Sequence, residues 1–268
     1  MKPYWKAISN RYWSIPPPLR PGDIEQALYQ SQLDLYVPSM TSPAVLVLGA
    51  TPLFHGFDWP AGSRLLAADR SADMLRELWP GRQDQTLQSD WCSLQLPDES
   101  QDLILTDGGL SFFDFSGDSR DFADTVGRLL KPQGLLISRT FILDPLSDSD
   151  DKLVTAITNR GISNDSELKV ALWNLVAVEN AGKVALAKTA VRFDSILHSF
   201  PSLASDCPWL NAAKESIDAY RDMTECYYLN SVKQISRSFH KAGLELRTEI
   251  TPQCNLSGNI RMLVFQKS

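Results

Sequence analysis

The chain has few cysteines and no pattern among them. Cys92, Cys207, Cys226 and Cys254 include no C-x-x-C pair, which argues against a disulfide framework and suits free thiols in a reducing compartment. Only three histidines are present, and neither they nor the cysteines show metal-ligand spacing, so no metal site is expected. Long apolar runs are missing. None approaches a membrane span, and Met1-Lys2-Pro3-Tyr4-Trp5-Lys6 has no signal-peptide core. The expectation is a soluble, cytoplasmic protein with no membrane partner. Runs of Lys or Arg are also absent and the formal net charge is −6. Duplex nucleic acid needs several cationic contacts to phosphate, so it is not an expected partner. No G-x-G-x-x-G follows the first apolar run, which disfavours a dinucleotide-dependent dehydrogenase.

What is present is a series of short apolar runs ending on small or charged residues. Ala44–Leu48 ends at Gly49, Arg64–Ala68 at Asp69, and Asp102–Thr106 at Asp107-Gly108-Gly109, while Leu135–Ser138 runs on to Arg139. Continuous apolar runs separated by helix-length spacers predict parallel strands buried on both faces, with strand and helix alternating from 44 to about 143. In an open parallel sheet, ligands bind outside the carboxyl ends of the strands. Asp69 follows Gly49 by 20 positions, close to the spacing at which an acidic residue reaches a ribose hydroxyl. The pattern reads as a nucleoside-cofactor site.

The 268 residues allow one α/β core with additions. Trp5, Ile8 and Tyr12 at helical spacing predict an amphipathic helix over 3–14. A proline strap follows over 15–21, then a helix over about 24–36, capped by Asp23, with Leu28, Leu35, Tyr29 and Tyr36 facing inward. Ser71 predicts the cap of a helix over 72–79, and Gln85–Ser89 a third strand. Residues 144–238 break the alternation and read as a helical insert. A helix over 231–242 and two strands, Leu244–Thr251 and Ile260–Gln266, predict a terminal antiparallel hairpin. The expected segments are a cap or lid (1–43), a Rossmann-like core (44–143), the insert (144–238) covering an acceptor, and terminal strands (239–268).

Six segments in this order resemble the class I S-adenosylmethionine-dependent methyltransferases. They are Val45–Pro52, Leu66–Ser71, Ser89-Asp90-Trp91, Asp102–Gly108, Leu129–Leu135 and Lys241–Leu244. The first motif departs from the family's usual form. Val47 stands where an acidic residue is usual, and Thr51 and Leu53 where glycines are usual. The N-terminal stretch, with Tyr4-Trp5, Arg11-Tyr12-Trp13 and Pro17–Pro21, resembles a group of uncharacterised bacterial methyltransferases whose first motif also ends in Thr-Pro.

The resemblance implies an α/β fold with a seven-stranded, mostly parallel Rossmann-like sheet, a C-terminal antiparallel hairpin and an insert before the sixth strand. It implies S-adenosyl-L-methionine as cofactor, held by Gly49, Ala50, Thr51, Asp69, Arg70, Asp90, Trp91, Asp107, Gly108, Tyr12 and Arg20. Asp69 would accept from ribose hydroxyls, Asp90 from the adenine amino group, and Arg20 would clamp a carboxylate. No catalytic residue stands out. Tyr12, His55 and His198 are candidates, and in-line methyl transfer needs a base only when the acceptor arrives protonated. The acidic chain, with Thr106-Asp107-Gly108-Gly109 in place of an Asn/Asp-Pro-Pro-Tyr motif, favours a small-molecule acceptor. The alternatives are an enzyme that cyclises or cleaves the cofactor's aminobutyl arm, and a non-catalytic protein on the same fold. The sequence does not fix the oligomeric state.

Overall fold

Seven strands form one sheet in the order β3-β2-β1-β4-β5-β9-β8. The computed structural model describes residue 9, residues 11–117 and residues 120–268. The strands are β1 (Ala44–Leu48), β2 (Arg64–Asp69), β3 (Thr86–Gln88), β4 (Gln101–Asp107), β5 (Leu130–Phe141), β8 (Leu244–Ile250) and β9 (Ile260–Lys267). Strands β1 to β5 run parallel, and β9 lies antiparallel between β5 and β8. This is the Rossmann-like sheet with a terminal antiparallel hairpin that the sequence pattern predicts.

Alternation along the strands sorts the core into two layers. Val45, Val47, Leu103, Leu105 and Ile137 face helices α1 (Asp23–Tyr36) and α2 (Ala72–Leu78) through Tyr29, Leu33, Leu75 and Leu78. Leu46, Leu48, Ile104, Leu136 and Phe265 face α3 (Asp121–Leu129) and α9 (Val232–Lys241) through Phe122, Val126, Ile235 and Phe239. Ser71 caps α2 by accepting from Met74 N, as expected.

Three local expectations are corrected. Helix α1 starts from Gly22, whose N–H donates to Glu25 Oε2 at 3.0 Å, rather than from an Asp23 cap. Leu35, expected inward, is 65% exposed, and the buried face is Glu25, Tyr29, Gln32 and Leu33. The Tyr29 hydroxyl has a polar seat at the ends of β4 and β5, and that seat fixes the helix rotation. No α-helix joins β1 to β2. A 3₁₀ turn, Pro52–Gly56, stands there, because Pro52, Gly56, Pro60 and Gly62 deny the segment a continuous helix. Helix α1 covers that face instead, so 23–36 is a layer of the core. Tyr12–Ser14 is a 3₁₀ turn, and the remainder of the expected 3–14 helix, with Trp5 and Ile8, lies largely outside the described residues.

The segment after β5 builds a second core from α4 (Asp150–Thr158), α5 (Asp165–Glu179), α6 (Leu186–Ser199), α7 (Leu203–Asp206) and α8 (Trp209–Asp218). Leu168, Leu172, Val176, Phe193, Ile196, Leu210 and Ile217 fill it. It also contains a two-stranded antiparallel ribbon, β6 (Lys183–Ala185) with β7 (Cys226–Tyr228), which the helical reading missed. Two buried asparagines tie this body to the sheet. Asn174 accepts from Asp144 N and Asn259 Nδ2 and donates to Asp144 O and Ser147 O. Asn230 accepts from Phe115 N and donates to Phe113 O.

Candidate functional site

The sheet register puts the chemistry in one row. Leu48 pairs with Ala68 on β2 and Thr106 on β4, so Gly49 falls between Asp69 and Asp107, one step further along. Asp107 in turn pairs with Arg139 on β5. Asp69, Asp107 and Arg139 keep the alternation of Ala67, Leu105 and Ile137, so all three project toward the α1 side. Gly49 has φ +104°, a conformation that favours glycine, and its N–H donates to Ala68 O at 2.8 Å. The row lies at the carboxyl ends of β2, β1, β4 and β5.

Asp69 is partly buried and one of its oxygens accepts from Ser71 N at 2.7 Å. Burial pushes its carboxyl up to about 6, against the partly offsetting Ser71 hydrogen bond and Arg70 charge. Arg70 itself is exposed. Asp90 is exposed and caps the turn Trp91–Ser93 by accepting from Cys92 N through Oδ1. The Trp91 indole donates to Ala68 O at 2.8 Å, and its ring lies against the open sides of Gly49 and Gly109. Both glycines therefore leave room for an indole as well as a backbone turn. A side chain at Gly109 would collide with Thr106 Oγ1 and press on Trp91.

Asp107 is not a free carboxylate. Arg139 donates to it from Nε at 2.5 Å and from Nη2 at 2.9 Å, and the same guanidinium donates from Nη1 to Pro18 O at 2.8 Å and to Glu25 at 3.4 Å. Burial works against the Arg139 charge, but Asp107 and Glu25 outweigh it and hold its pKa above the ordinary value. The Tyr29 hydroxyl donates to Thr106 O at 2.8 Å and accepts from Arg139 N at 2.8 Å. This network fastens the proline strap and α1 to the strand ends.

Tyr12 joins the group: its phenol is pushed up by burial and by Asp107, with Arg20 and Arg139 acting in the opposite sense. A phenol held protonated donates hydrogen bonds and does not serve as a base at neutral pH. Arg20 donates from Nε to Ile15 O at 3.1 Å, and no carboxylate of the described residues lies within ion-pair distance of it. Above Gly108, whose open side meets Phe141 at 3.5 Å, an arc of rings joins the loop after β4 to the insert. Trp91 meets Phe112 at 5.9 Å, Phe112 meets Tyr227 at 5.4 Å, Tyr227 meets Trp173 at 5.0 Å, and Trp173 meets Phe141 at 5.9 Å. The buried Trp173 indole N–H has no hydrogen-bond partner among the described residues.

The structure thus brings Tyr12, Arg20, Gly49, Asp69, Trp91, Asp107 and Gly108 to one end of the sheet. It does not bring the histidines there. His55 sits edge-on to Trp79 at 5.4 Å, and His198 is exposed in the last turn of α6. Arg192 is paired with Asp150 and Glu179 on the insert. Sequence reasoning missed Glu25, Tyr29, Arg139, Trp173 and Tyr227. The available signal was Arg139 itself, a charge continuing an apolar strand. Among the described residues no group of three or more His, Cys, Asp or Glu forms a candidate metal site, and no helix is long and apolar enough to cross a membrane.

Residues 51–138 match the family model for the methyltransferase domain. No curated protein matches the chain. Among solved structures, a protein described as an S-adenosylmethionine-dependent methyltransferase from Listeria monocytogenes superposes with a TM-score of 0.54 at 14% identity, over 90% of this chain and 99% of that one. Another from Mesorhizobium loti gives 0.51 at 12% identity, over 91% and 100%. A protein described as a Zn-dependent alcohol dehydrogenase from Rhodobacter sphaeroides gives 0.58 at 15% identity, over 98% and 97%. At such identities these likenesses establish the fold alone. Residues 51–138 are thus similar to a methyltransferase domain, and the sheet order in which they sit is that of a Rossmann-like α/β fold.

Proposed function

We propose that the strand-end row holds S-adenosylmethionine and that the chain methylates a small, largely apolar molecule lying between the 109–117 loop and the insert. The observation that carries this reading is the alignment of Asp69, Gly49 and Asp107 in one row. The donor set fits the cofactor. Asp69 has one oxygen engaged by Ser71, leaving the other to accept from ribose hydroxyls, and Gly49 lets the backbone approach. Asp90 likewise has one oxygen engaged by Cys92, leaving the other for the adenine amino group. Arg20, which has no carboxylate partner among the described residues, suits the α-carboxylate of the methionine portion.

When bound, the cofactor supplies an electrophilic methyl group on a sulfonium. The residues of the chain position and shield. The ring arc from Phe112 to Phe141 offers an apolar wall that excludes water, and the unpartnered Trp173 N–H offers one hydrogen bond to orient an acceptor. Tyr12, kept protonated, can donate a hydrogen bond at the Asp107 side. Orientation of two reactants alone is worth roughly 7–11 kcal/mol of barrier, which accommodates a site without a histidine base. Calorimetry with S-adenosylmethionine tests the cofactor half. Asp69→Ala is expected to lose most of the affinity while staying folded, and an unchanged dissociation constant overturns the reading. Mass spectrometry of products from a panel of small aromatic and aliphatic nucleophiles tests the acceptor half. Methylation confined to a protein or nucleic-acid substrate overturns it.

A further inference from the structure

We infer that the buried charge around Arg139 makes the site select the positively charged cofactor over its neutral-sulfur product, with Glu25 the residue that sets the preference. This rests on the cofactor reading of the strand-end row given above.

The charges do not balance. Arg139, Glu25 and Asp107 have side chains only 1%, 4% and 7% exposed, and they bring two carboxylates to one guanidinium. Asp107 accepts from Nε and Nη2 at 2.5 and 2.9 Å and lies 3.5 Å from the Tyr29 hydroxyl. Glu25 shares Nη1 with Pro18 O and stands further off, at 3.4 Å, while its second oxygen accepts from Gly22 N. Glu25 is therefore the less neutralised of the two carboxylates.

Among the described residues Arg20 is the other cation that acts on Tyr12, and it is matched by the carboxylate that the cofactor itself brings. What remains to meet the ammonium and the sulfonium is an excess of about one buried negative charge. Away from water such a charge acts over several ångströms with little screening. Methyl transfer turns the sulfonium into a thioether, and that part of the attraction ends with the reaction. The arrangement holds the reactant and releases the product.

Titration calorimetry at neutral pH with three ligands tests this: S-adenosylmethionine, S-adenosylhomocysteine, and an analogue with a protonated amine in place of the sulfonium. The native protein is expected to bind both cations more tightly than the thioether. Glu25→Gln keeps an acceptor for Gly22 N and removes the charge. It is expected to shrink the ratio of thioether to sulfonium dissociation constants by at least about threefold, with the thioether affinity nearly unchanged. Asp69→Asn, in contrast, is expected to weaken all three ligands together. Equal weakening of all three by Glu25→Gln is a structural effect and overturns the inference, as does an unchanged ratio. If Asp69→Asn weakens all three ligands while Glu25→Gln leaves the ratio alone, the cofactor reading stands and the charge selection falls. If the native protein binds none of them, both fall.

Discussion

Arg139 stands opposite Asp107, on β5 and β4, and donates two parallel hydrogen bonds to it, Nε to Oδ1 at 2.5 Å and Nη2 to Oδ2 at 2.9 Å. The pair lies one row beyond the apolar residues Leu105 and Ile137, at the point where the strand ends stop being core and become site. Because the same guanidinium reaches Pro18 O and Glu25, it joins three distant stretches of sequence at a single side chain.

Replacing Arg139 with Met should therefore be among the most damaging single changes in the protein. It leaves Glu25 and Asp107 buried without a counter-charge and Pro18 O without its donor. Breaking a buried pair from one side costs about 3–5 kcal/mol, and urea denaturation of the variant is expected to show a loss of that size. Arg139→Lys should recover only part of it, since a single ammonium cannot reproduce the forked contact. A loss under about 1 kcal/mol for Met would show that the network contributes little.

Asp69 should behave in the opposite way. Burial raises its carboxyl from 3.8 to about 6 in the folded chain, so ionisation is easier in the unfolded chain. Its contribution to stability is fully present below the unfolded value and is lost as pH rises from about 4 through 6. Above pH 7 the cost reaches at most about 3 kcal/mol, taking 1.36 kcal/mol per pKa unit. Asp69→Asn keeps an acceptor for Ser71 N and removes the charge. Its melting temperature should exceed the native one at pH 8 and match it at pH 4. Equal melting temperatures at both pH values would contradict the burial of this charge.

The same shift governs ligand binding. If ribose hydroxyls donate to the ionised carboxyl, cofactor affinity should fall as pH drops through about 6, by roughly tenfold between pH 7 and pH 5, with proton release on binding near pH 6. Calorimetry in two buffers of different ionisation enthalpy measures that release directly. Affinity flat across this range in the native protein, or the same slope in Asp69→Asn, would assign the ribose contact to another group.

The sheet was legible because buried parallel strands write themselves as unbroken apolar runs. Val45–Leu48, Leu103–Leu105 and Leu135–Ile137 needed no tertiary information to be recognised. The placing of Asp69 and Gly49 at neighbouring strand ends was legible because their spacing is set by one strand and one crossover. The Arg139 network was not, since Pro18, Glu25 and Asp107 reach it from 121, 114 and 32 positions away, and no local period records such a meeting. Helix α1 was misjudged by its leucines. Leu35 obeys helical spacing but faces solvent, because the Tyr29 hydroxyl, seated on Thr106 O and Arg139 N, turns the helix toward a polar partner that the α1 sequence cannot show. The ribbon β6–β7 escaped notice because two three-residue strands 41 positions apart (Ala185 to Cys226) leave almost no pattern.

Tyr29→Phe tests that seat. It removes a donor to Thr106 O and an acceptor for Arg139 N, both buried, while preserving the ring contact with Phe54 at 4.9 Å. Leaving buried backbone groups unpaired costs about 1–3 kcal/mol, so thermal unfolding should show a loss in that range. Only the part of the loss that runs through Asp107 Oδ1, which lies 3.5 Å from the hydroxyl and 2.5 Å from the guanidinium Nε, should be absorbed when Arg139 is already replaced. A double-mutant cycle with no coupling would mean that the hydroxyl and the guanidinium act independently.

Asn174 is the corresponding test for the insert. Its side chain is fully buried and makes four hydrogen bonds: to Asp144 N, Asp144 O, Ser147 O and Asn259 Nδ2. These fasten α5, and with it Trp173, to the loops that follow β5 and precede β9. Asn174→Ala removes all four and leaves three backbone groups and one amide seeking partners, a cost of about 2–4 kcal/mol when neighbours or water repair some of the bonds. The strand-end row shares no partner with Asn174, so cofactor affinity should stay within about 0.5 kcal/mol. Turnover should fall instead, because the ring wall built by Trp173 and Tyr227 is no longer held over Gly108. Parallel calorimetry and product assays on the folded variant separate the two effects. A variant that loses cofactor affinity and turnover in step would show that the insert supports the whole site rather than its acceptor side.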